Sequence, residues 1–194
     1  MILALWCAVA YLIGSVPSGY LIGKLFYHVD LRKIGSGNIG ATNAYRILGI
    51  KAGAAVFLCD FFKGMFAVWM GEPDVLTSLL CAFFVIIGND WSVFLHFKSG
   101  RGVASGVGAF TYICPQAALA AFVVWLLVMF LTRIVSLSSI IAAPFIPLVI
   151  YFMGKPMEYT IFAALAAVVV IGKHKDNIKR LLKGEEKKIS HEKR

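Results

Sequence analysis

This sequence has little charge. Asp and Glu number ten and Lys and Arg nineteen among 194 residues, so charged side chains make up 15% of the chain and hydrophobic ones 60%. At a mean hydropathy of +0.82, one globular core cannot hide that much apolar surface, which excludes a water-soluble domain and leaves an integral membrane protein. The four cysteines, Cys7, Cys59, Cys81 and Cys114, form no CxxC and have no histidine at metal-ligand spacing. They read as small buried hydrophobes, with no disulfide and no metal site expected. No linker, low-complexity run or repeat of ~20–50 residues divides the chain, and residues 1–194 read as one membrane domain. The opening segment lacks the basic stretch of a signal peptide and is too long, and too polar at Ser15, Pro17 and Ser18, to be a cleaved one.

What is present is a series of apolar runs at 2–23, 52–70, 75–95, 102–114, 116–132, 139–153 and 158–172, each bounded by Gly, Pro or charge. They predict an all-α membrane protein, a polytopic bundle of about seven transmembrane helices, some short or broken. The runs at 102–114 and 139–153 fall short of the ~20 residues a perpendicular span needs, so five or six spans with re-entrant pieces is the alternative. Basic residues orient the bundle. With the N-terminus outside, the inward loops and the tail over 173–194 hold seventeen of the nineteen, while Lys155 faces out among Glu72, Asp74 and Glu158. That asymmetry predicts a cytoplasmic C-terminus. The tail carries Ile178, Leu181 and Leu182 on one side of a helix and reads as interfacial, with frayed final residues. The net charge of +9 is thereby assigned to the membrane surface and calls for no nucleic acid.

The most informative stretch is SGNIGATNAYRILG, Ser36 to Gly49. Gly35, Gly37 and Gly40 allow positive φ and close approach of backbone to a ligand. Ser36, Asn38, Thr42 and Asn43 supply neutral hydrogen-bond groups, and Arg46 supplies a fork that matches phosphate. The glycines formally spell GxGxxG, but they follow a charged loop (Asp30, Arg32, Lys33) instead of a strand, so the dinucleotide fingerprint is rejected. A polar turn between helices is the alternative. The second stretch, GNDWSVFLHFKSGRGVASGVG from Gly88 to Gly108, brings Lys98 and Arg101 with Gly100 and Gly102 to the start of a helix, where backbone amides and cations together cradle an anion. It lacks Walker A order. The other reading makes Lys98 and Arg101 interfacial anchors, and for Gly106 and Gly108 helix packing is preferred.

His174 and Asn177 stand three apart, on one face of the tail's first turn, where a histidine acts as base or as hydrogen-bond partner to phosphate; a solvated interfacial histidine is the plain alternative. RIVSLSSI, from Arg133, adds Ser136, Ser138 and Ser139, which also suit helix capping. Asp60 and Lys63 lie three apart inside an apolar run, and are expected to neutralise one another while facing the bundle, with a smaller chance that Lys63 reaches a ligand. Four polar clusters on one side of a membrane protein suit a ligand with a phosphate outside and a greasy part within.

These motifs resemble the acylphosphate:glycerol-3-phosphate acyltransferase family (PlsY) of bacterial membranes along essentially the whole chain. SGNIGATNAYRILG matches the family's first motif almost letter for letter, GNDWSVFLHFKSGRGVAS the second more loosely, and KHKDNIKRLLKGEE resembles the third. The second motif usually begins Gly-His and carries Lys-Gly-Gly-Lys-Gly; here Gly88-Asn89 removes that histidine, and Arg101 stands for a lysine. The resemblance implies transfer of an acyl group from acyl-phosphate to the sn-1 hydroxyl of glycerol-3-phosphate, giving lysophosphatidic acid and phosphate at the start of phospholipid synthesis. It implies no cofactor, a multi-pass place in the bacterial inner membrane, and coupling to the enzyme that makes acyl-phosphate. By motif position Ser36, Arg46, Ser139, His174 and Asn177 are the catalytic candidates. Ser36, Asn38, Arg46, Lys98, Gly100, Arg101 and Gly102 are the phosphate-binding candidates. Acyl phosphate is already activated, so positioning two anions and stabilising the oxyanion would suffice, with a substrate phosphate accepting the hydroxyl proton.

Absences agree. The acyltransferase motif HxxxxD is missing, because Lys33, Arg101 and Lys179 stand five after His28, His96 and His174, and no GxSxG elbow supplies a nucleophile. A covalent acyl-enzyme is disfavoured. A transporter would want its binding residues at the midplane, whereas these clusters gather on one side; a scaffold would need no convergent clusters.

Overall fold

The computed structural model describes residues 2–189, and among them every regular element is helical. The expectation of frayed final residues lies outside the described residues. The chain begins with α1 (Ile2–Ser15) and α2 (Ser18–Tyr27), separated at Pro17, which has no N–H to continue the helix. A loop leads to α3 (Ala41–Leu48), α4 (Ile50–Met70) and α5 (Val75–Asp90). After a second loop come α6 (Val103–Ile113), α7 (Pro115–Thr132), with proline at its first position, and α8 (Val135–Ala142) and α9 (Phe145–Phe152), parted at Pro144. The chain closes with α10 (Met157–Lys173) and α11 (Lys175–Leu182).

The reading of about seven helices, some short or broken, holds, and five or six of them are full candidate spans. Five segments are long and apolar enough to cross a bilayer: Ile2–Tyr27, Ile50–Met70, Val75–Leu95, Pro115–Thr132 and Val135–Phe152. Counting α10 with α11, which bend by 58° at His174, makes six. The run at 102–114 is the 11-residue α6, which rises ~16 Å, about half a hydrocarbon core. It survives because it is packed inside protein, with Ala109 fully buried and Phe110 nearly so.

Small residues set the packing. Gly14 and Gly88 let α1 and α5 approach until a Cβ at either position would collide with the partner's backbone, and Gly64 and Gly108 do the same for α4 and α6. Gly106, by contrast, has room, its virtual Cβ lying 3.5 Å from Ile86. The core between them holds Val85, Ile86, Ala109, Phe110, Ala117 and Ile150. Large apolar side chains such as Phe130, Leu131 and Phe152 face outward at 85%, 78% and 77% exposure, which only a lipid surround makes tolerable. The four cysteines are free thiols.

Candidate active site

The loop before α3 is held by one amide. Asn43, 2% exposed, donates from Nδ2 to the carbonyls of Leu31 (3.1 Å), Ile34 (3.1 Å) and Asn38 (2.8 Å), while its Oδ1 accepts from the Ser36 N–H at 3.0 Å. Asn43 is therefore consumed in shaping the loop, and is not the ligand group its sequence position suggested. Asn38 Oδ1 accepts from the Gly40 N–H at 2.7 Å. Gly35 and Gly37 take the left-handed conformation (φ +69° and +72°), as expected. Gly40 does not, with φ −70°; its lack of a side chain matters because a Cβ there would stand 2.9 Å from Asn38 Oδ1.

One turn along α3, Arg46 is 8% exposed. Its Nη2 donates to the carbonyl oxygens of Lys187 at 3.0 Å and Lys188 at 3.4 Å. The second loop brings Arg101 beside it. Gly100 donates its N–H to the carbonyl of Asn89 at 2.8 Å, and Gly102, at φ +66°, caps α6. Burial, with neighbouring Arg180 and Arg46, lowers the Arg101 pKa, although Glu186 opposes this. A guanidinium stays charged through such a shift.

From the far end of the chain, His174 and Asn177 are 2% and 3% exposed, so His174 is not the solvated surface histidine of the plain reading. His174 Nδ1 lies 2.7 Å from the carbonyl oxygen of Val170. A carbonyl only accepts, so Nδ1 carries the proton and Nε2 keeps its lone pair. Burial pushes this imidazole down to about 4, Arg101 adding to the effect and the Val170 bond opposing it.

Three residues that the sequence reading gave no role, or only a capping role, join them. Glu186 Oε1 accepts from Ser136 Oγ at 2.7 Å and from Asn177 Nδ2, and its Oε2 accepts from Arg180 Nε at 2.6 Å. Burial works against ionising Glu186, yet these hydrogen bonds outweigh it and hold its carboxyl below the usual range. With Nδ2 given to Glu186, the Asn177 Oδ1 is left a buried acceptor without a partner. The serines of α8 are not caps, because the helix starts at Val135 with Ile134 before it. Ser138 and Ser139 return their hydroxyls to the carbonyls of Ile134 and Val135, both at 3.0 Å, and Ser139 Oγ accepts from Trp125 Nε1 at 3.2 Å.

Most of these groups line one cavity of about 580 Å³. Ser36, Asn38, Arg46, Gly100, Arg101, Gly102, Ser139, His174 and Asn177 contribute to its wall, as do Val107, Phe110, Trp125, Ile146 and Ala163 from farther along the helices. Phe110 lies eight residues beyond Gly102, ~12 Å deeper along α6. The wall thus changes from cationic and amide-rich to apolar. Lys98 is the exception. It is exposed, on the outside of the turn that Phe97 closes back onto Ser92 at 2.8 Å, and does not line the cavity. Among the described residues no group of three or more His, Cys, Asp or Glu side chains could hold a metal ion.

Residues 4–184 match the family model described as glycerol-3-phosphate acyltransferase. A protein of Moorella thermoacetica named glycerol-3-phosphate acyltransferase 2 is 43% identical over 183 residues, covering 93% of this chain and 94% of its own length. The glycerol-3-phosphate acyltransferase of Carboxydothermus hydrogenoformans is 43% identical over 182 residues, with 93% of each chain covered. Among solved structures, the crystal structure of PlsY (YgiH), an integral membrane glycerol 3-phosphate acyltransferase, in its glycerol 3-phosphate form superposes with a TM-score of 0.93 at 36% identity, covering 98% of this chain and 96% of that one. Its lysophosphatidic acid form gives a TM-score of 0.91 at 35% identity.

Proposed function

The chain belongs to the glycerol-3-phosphate acyltransferase family, and from that premise we propose that this integral membrane enzyme takes its acyl group from an acyl-phosphate and delivers it to the sn-1 hydroxyl of glycerol-3-phosphate, releasing lysophosphatidic acid and phosphate. The observation that carries the reading is the single cavity lined by Arg46 and Arg101 with His174 and Asn177 toward one end and by the apolar middles of α6, α7 and α10 toward the other. Both substrates are anions, and only the donor and the product also carry an acyl chain.

In this site Arg46 and Arg101 hold the two phosphates, offsetting a repulsion that would otherwise keep the substrates apart. Ser36, Asn38 and the Gly100–Gly102 backbone complete the anion contacts. The glycerol hydroxyl hydrogen-bonds to Nε2 of His174 or Oδ1 of Asn177, the two acceptors left open by the bonds to Val170 and Glu186. Its oxygen attacks the acyl carbon, the carbon–oxygen bond to phosphate breaks, and the electron pair leaves on phosphate. The hydroxyl proton passes to that phosphate, a better acceptor than an imidazole whose pKa is held near 4. Ser139, bonded to Trp125, closes the wall where headgroup meets acyl chain.

The whole chain acts as a single membrane domain in the bacterial inner membrane, N-terminus outside and site facing the cytoplasm, close to the enzyme that makes acyl-phosphate. The test is a donor panel. Purified protein with labelled glycerol-3-phosphate should form 1-acyl lysophosphatidic acid from acyl-phosphate, the position assigned by NMR, and none from the acyl thioester of the same chain. Turnover of the thioester alone would overturn the donor assignment.

A further inference from the structure

Beneath the Gly100–Gly102 loop runs a chain of polar side chains that the reaction itself does not use. Ser18, at the start of α2, donates from Oγ to Asp60 Oδ1 at 2.8 Å. Lys63, one turn along α4, pairs with the same oxygen at 2.6 Å. Its Nζ also donates to the Val16 carbonyl at 3.1 Å and to Asn89 Oδ1 at 2.8 Å. An ammonium has three N–H groups, and these three partners use them all. Lys63 has no donor left for a ligand, so whatever it does to the site it does through Asn89.

Asn89 is placed to pass that on. Because its Oδ1 accepts from Lys63, its Nδ2 is turned the other way, toward Asp90 Oδ1 at 3.3 Å. Its main-chain carbonyl takes the Gly100 N–H at 2.8 Å, and the absent Cβ of Gly100 would collide with the same Nδ2. Gly102 rests against the neighbouring side chain, a Cβ there standing 3.2 Å from both Asp90 carboxylate oxygens. Both neighbours of Arg101 are thus seated on the Asn89–Asp90 pair. A buried ion pair is a weak source of stability, since apolar residues of similar size often do as well. A fixed geometry is what such a pair supplies when, as here, all its hydrogens are spoken for.

We propose that Lys63 is a positioning residue for the anion site: held by Asp60, it locks the Asn89 amide, and Asn89 seats the loop that fixes where the Arg101 guanidinium stands. The inference rests on the assignment of Arg101 to a substrate phosphate. It separates binding from chemistry, because a loosened guanidinium weakens capture of the anion while the reacting atoms keep their other contacts.

The test uses the full-length protein in detergent. Lys63→Met is combined with Asp60→Asn so that no lone carboxylate is left in the bundle, and is compared with Asn89→Leu, Asn89→His, Arg101→Ala, and Arg101→Ala added to each. Steady-state KM and kcat are measured for both substrates, with calorimetric binding of glycerol-3-phosphate. The neutral pair and Asn89→Leu should each raise the KM of an anionic substrate about 10- to 100-fold, the range for one charged hydrogen bond, with kcat within about threefold. Asn89→His, whose Nδ1 can stand where the amide oxygen stands, should keep most of the binding. Added to Arg101→Ala, neither change should raise KM further, because the residue they act through is gone. Additive losses, a fall in kcat at constant KM, or no change would overturn the proposal. If the neutral pair aggregates, the Asn89→Leu and Asn89→His contrast decides the matter. An unchanged KM in Arg101→Ala would instead remove the phosphate assignment, and this inference with it.

Discussion

His174 donates from Nδ1 to the carbonyl oxygen of Val170, one turn back on the helix it terminates, at 2.7 Å. The tautomer is thereby set by the end of α10, and Nε2 is presented as an acceptor. Burial rather than the neighbouring Lys173 and Lys175 is the main cause of its low pKa, with the Arg101 charge adding to it.

The role of this imidazole is open to a paired substitution. His174→Gln keeps a hydrogen-bonding group and should lose far less activity than His174→Ala, and the parent should show no rate limb near the ordinary imidazole value of ~6.5. Equal collapse of both variants by ~10²–10⁴-fold, together with such a limb, would make His174 the general base. Stability gives an independent reading. As pH falls below ~6.5, the unfolded chain takes up a proton that folded His174 refuses until about 4, so the folded state loses stability across that window. His174→Gln should flatten the acid side of the thermal-stability profile.

Arg101 should behave as a charge. Arg101→Ala should cost ~1.5–3 kcal/mol in kcat/KM, the range for a charged hydrogen bond, while Arg101→Lys keeps much of the activity. The lysine variant should fail sooner at alkaline pH, since burial of this position disfavours the cation and an ammonium, unlike a guanidinium, can then lose its proton. Wild-type kinetics in Arg101→Ala would remove the residue from the site.

Asn43 should be intolerant in a specific order. Asn43→Ala leaves the Leu31, Ile34 and Asn38 carbonyls without their donor, at ~1–3 kcal/mol for each one left buried and unpartnered. Asn43→Asp should be worse, because it puts an acceptor among three carbonyl oxygens. Thermal unfolding in detergent checks the order, and an Asp variant as stable as the parent would contradict the loop geometry.

Single-cysteine labelling in a cysteine-free background tests the orientation. Reporters at Lys33, Lys98, Arg133 and Lys183 should all react from the cytoplasmic side. Labelling of any one from outside would contradict the charge asymmetry and a shared cytoplasmic site.

Much of the site was legible because its chemistry is local in sequence. Arg46 follows a glycine and amide loop, Arg101 stands between glycines at a helix start, and His174 and Asn177 share a helical face. What was hidden depends on contacts between distant segments. Glu186 looked like one more charge in a polar tail, and only the fold brings it to Ser136, fifty residues away. Asn43 could not be told from Asn38 by type or spacing, yet burial makes one the frame and leaves the other on the wall. Lys98 and Arg101 differ by three positions, and a tight turn sends the first to solvent. The setting of the short α6 was hidden for a related reason. Hydropathy registers α6 as apolar but cannot show that protein, rather than lipid, surrounds it.

Direct acyl transfer from phosphate to glycerol is the claim on which the rest depends, and single-turnover labelling tests it most directly. Enzyme mixed with radiolabelled acyl-phosphate alone and then denatured should carry no bound acyl group. On adding glycerol-3-phosphate labelled with ¹⁸O at the sn-1 hydroxyl, the label should appear in the ester of lysophosphatidic acid, with one phosphate released per product. A stoichiometric acyl adduct on the protein, or phosphate release without formation of the ester, would contradict the account.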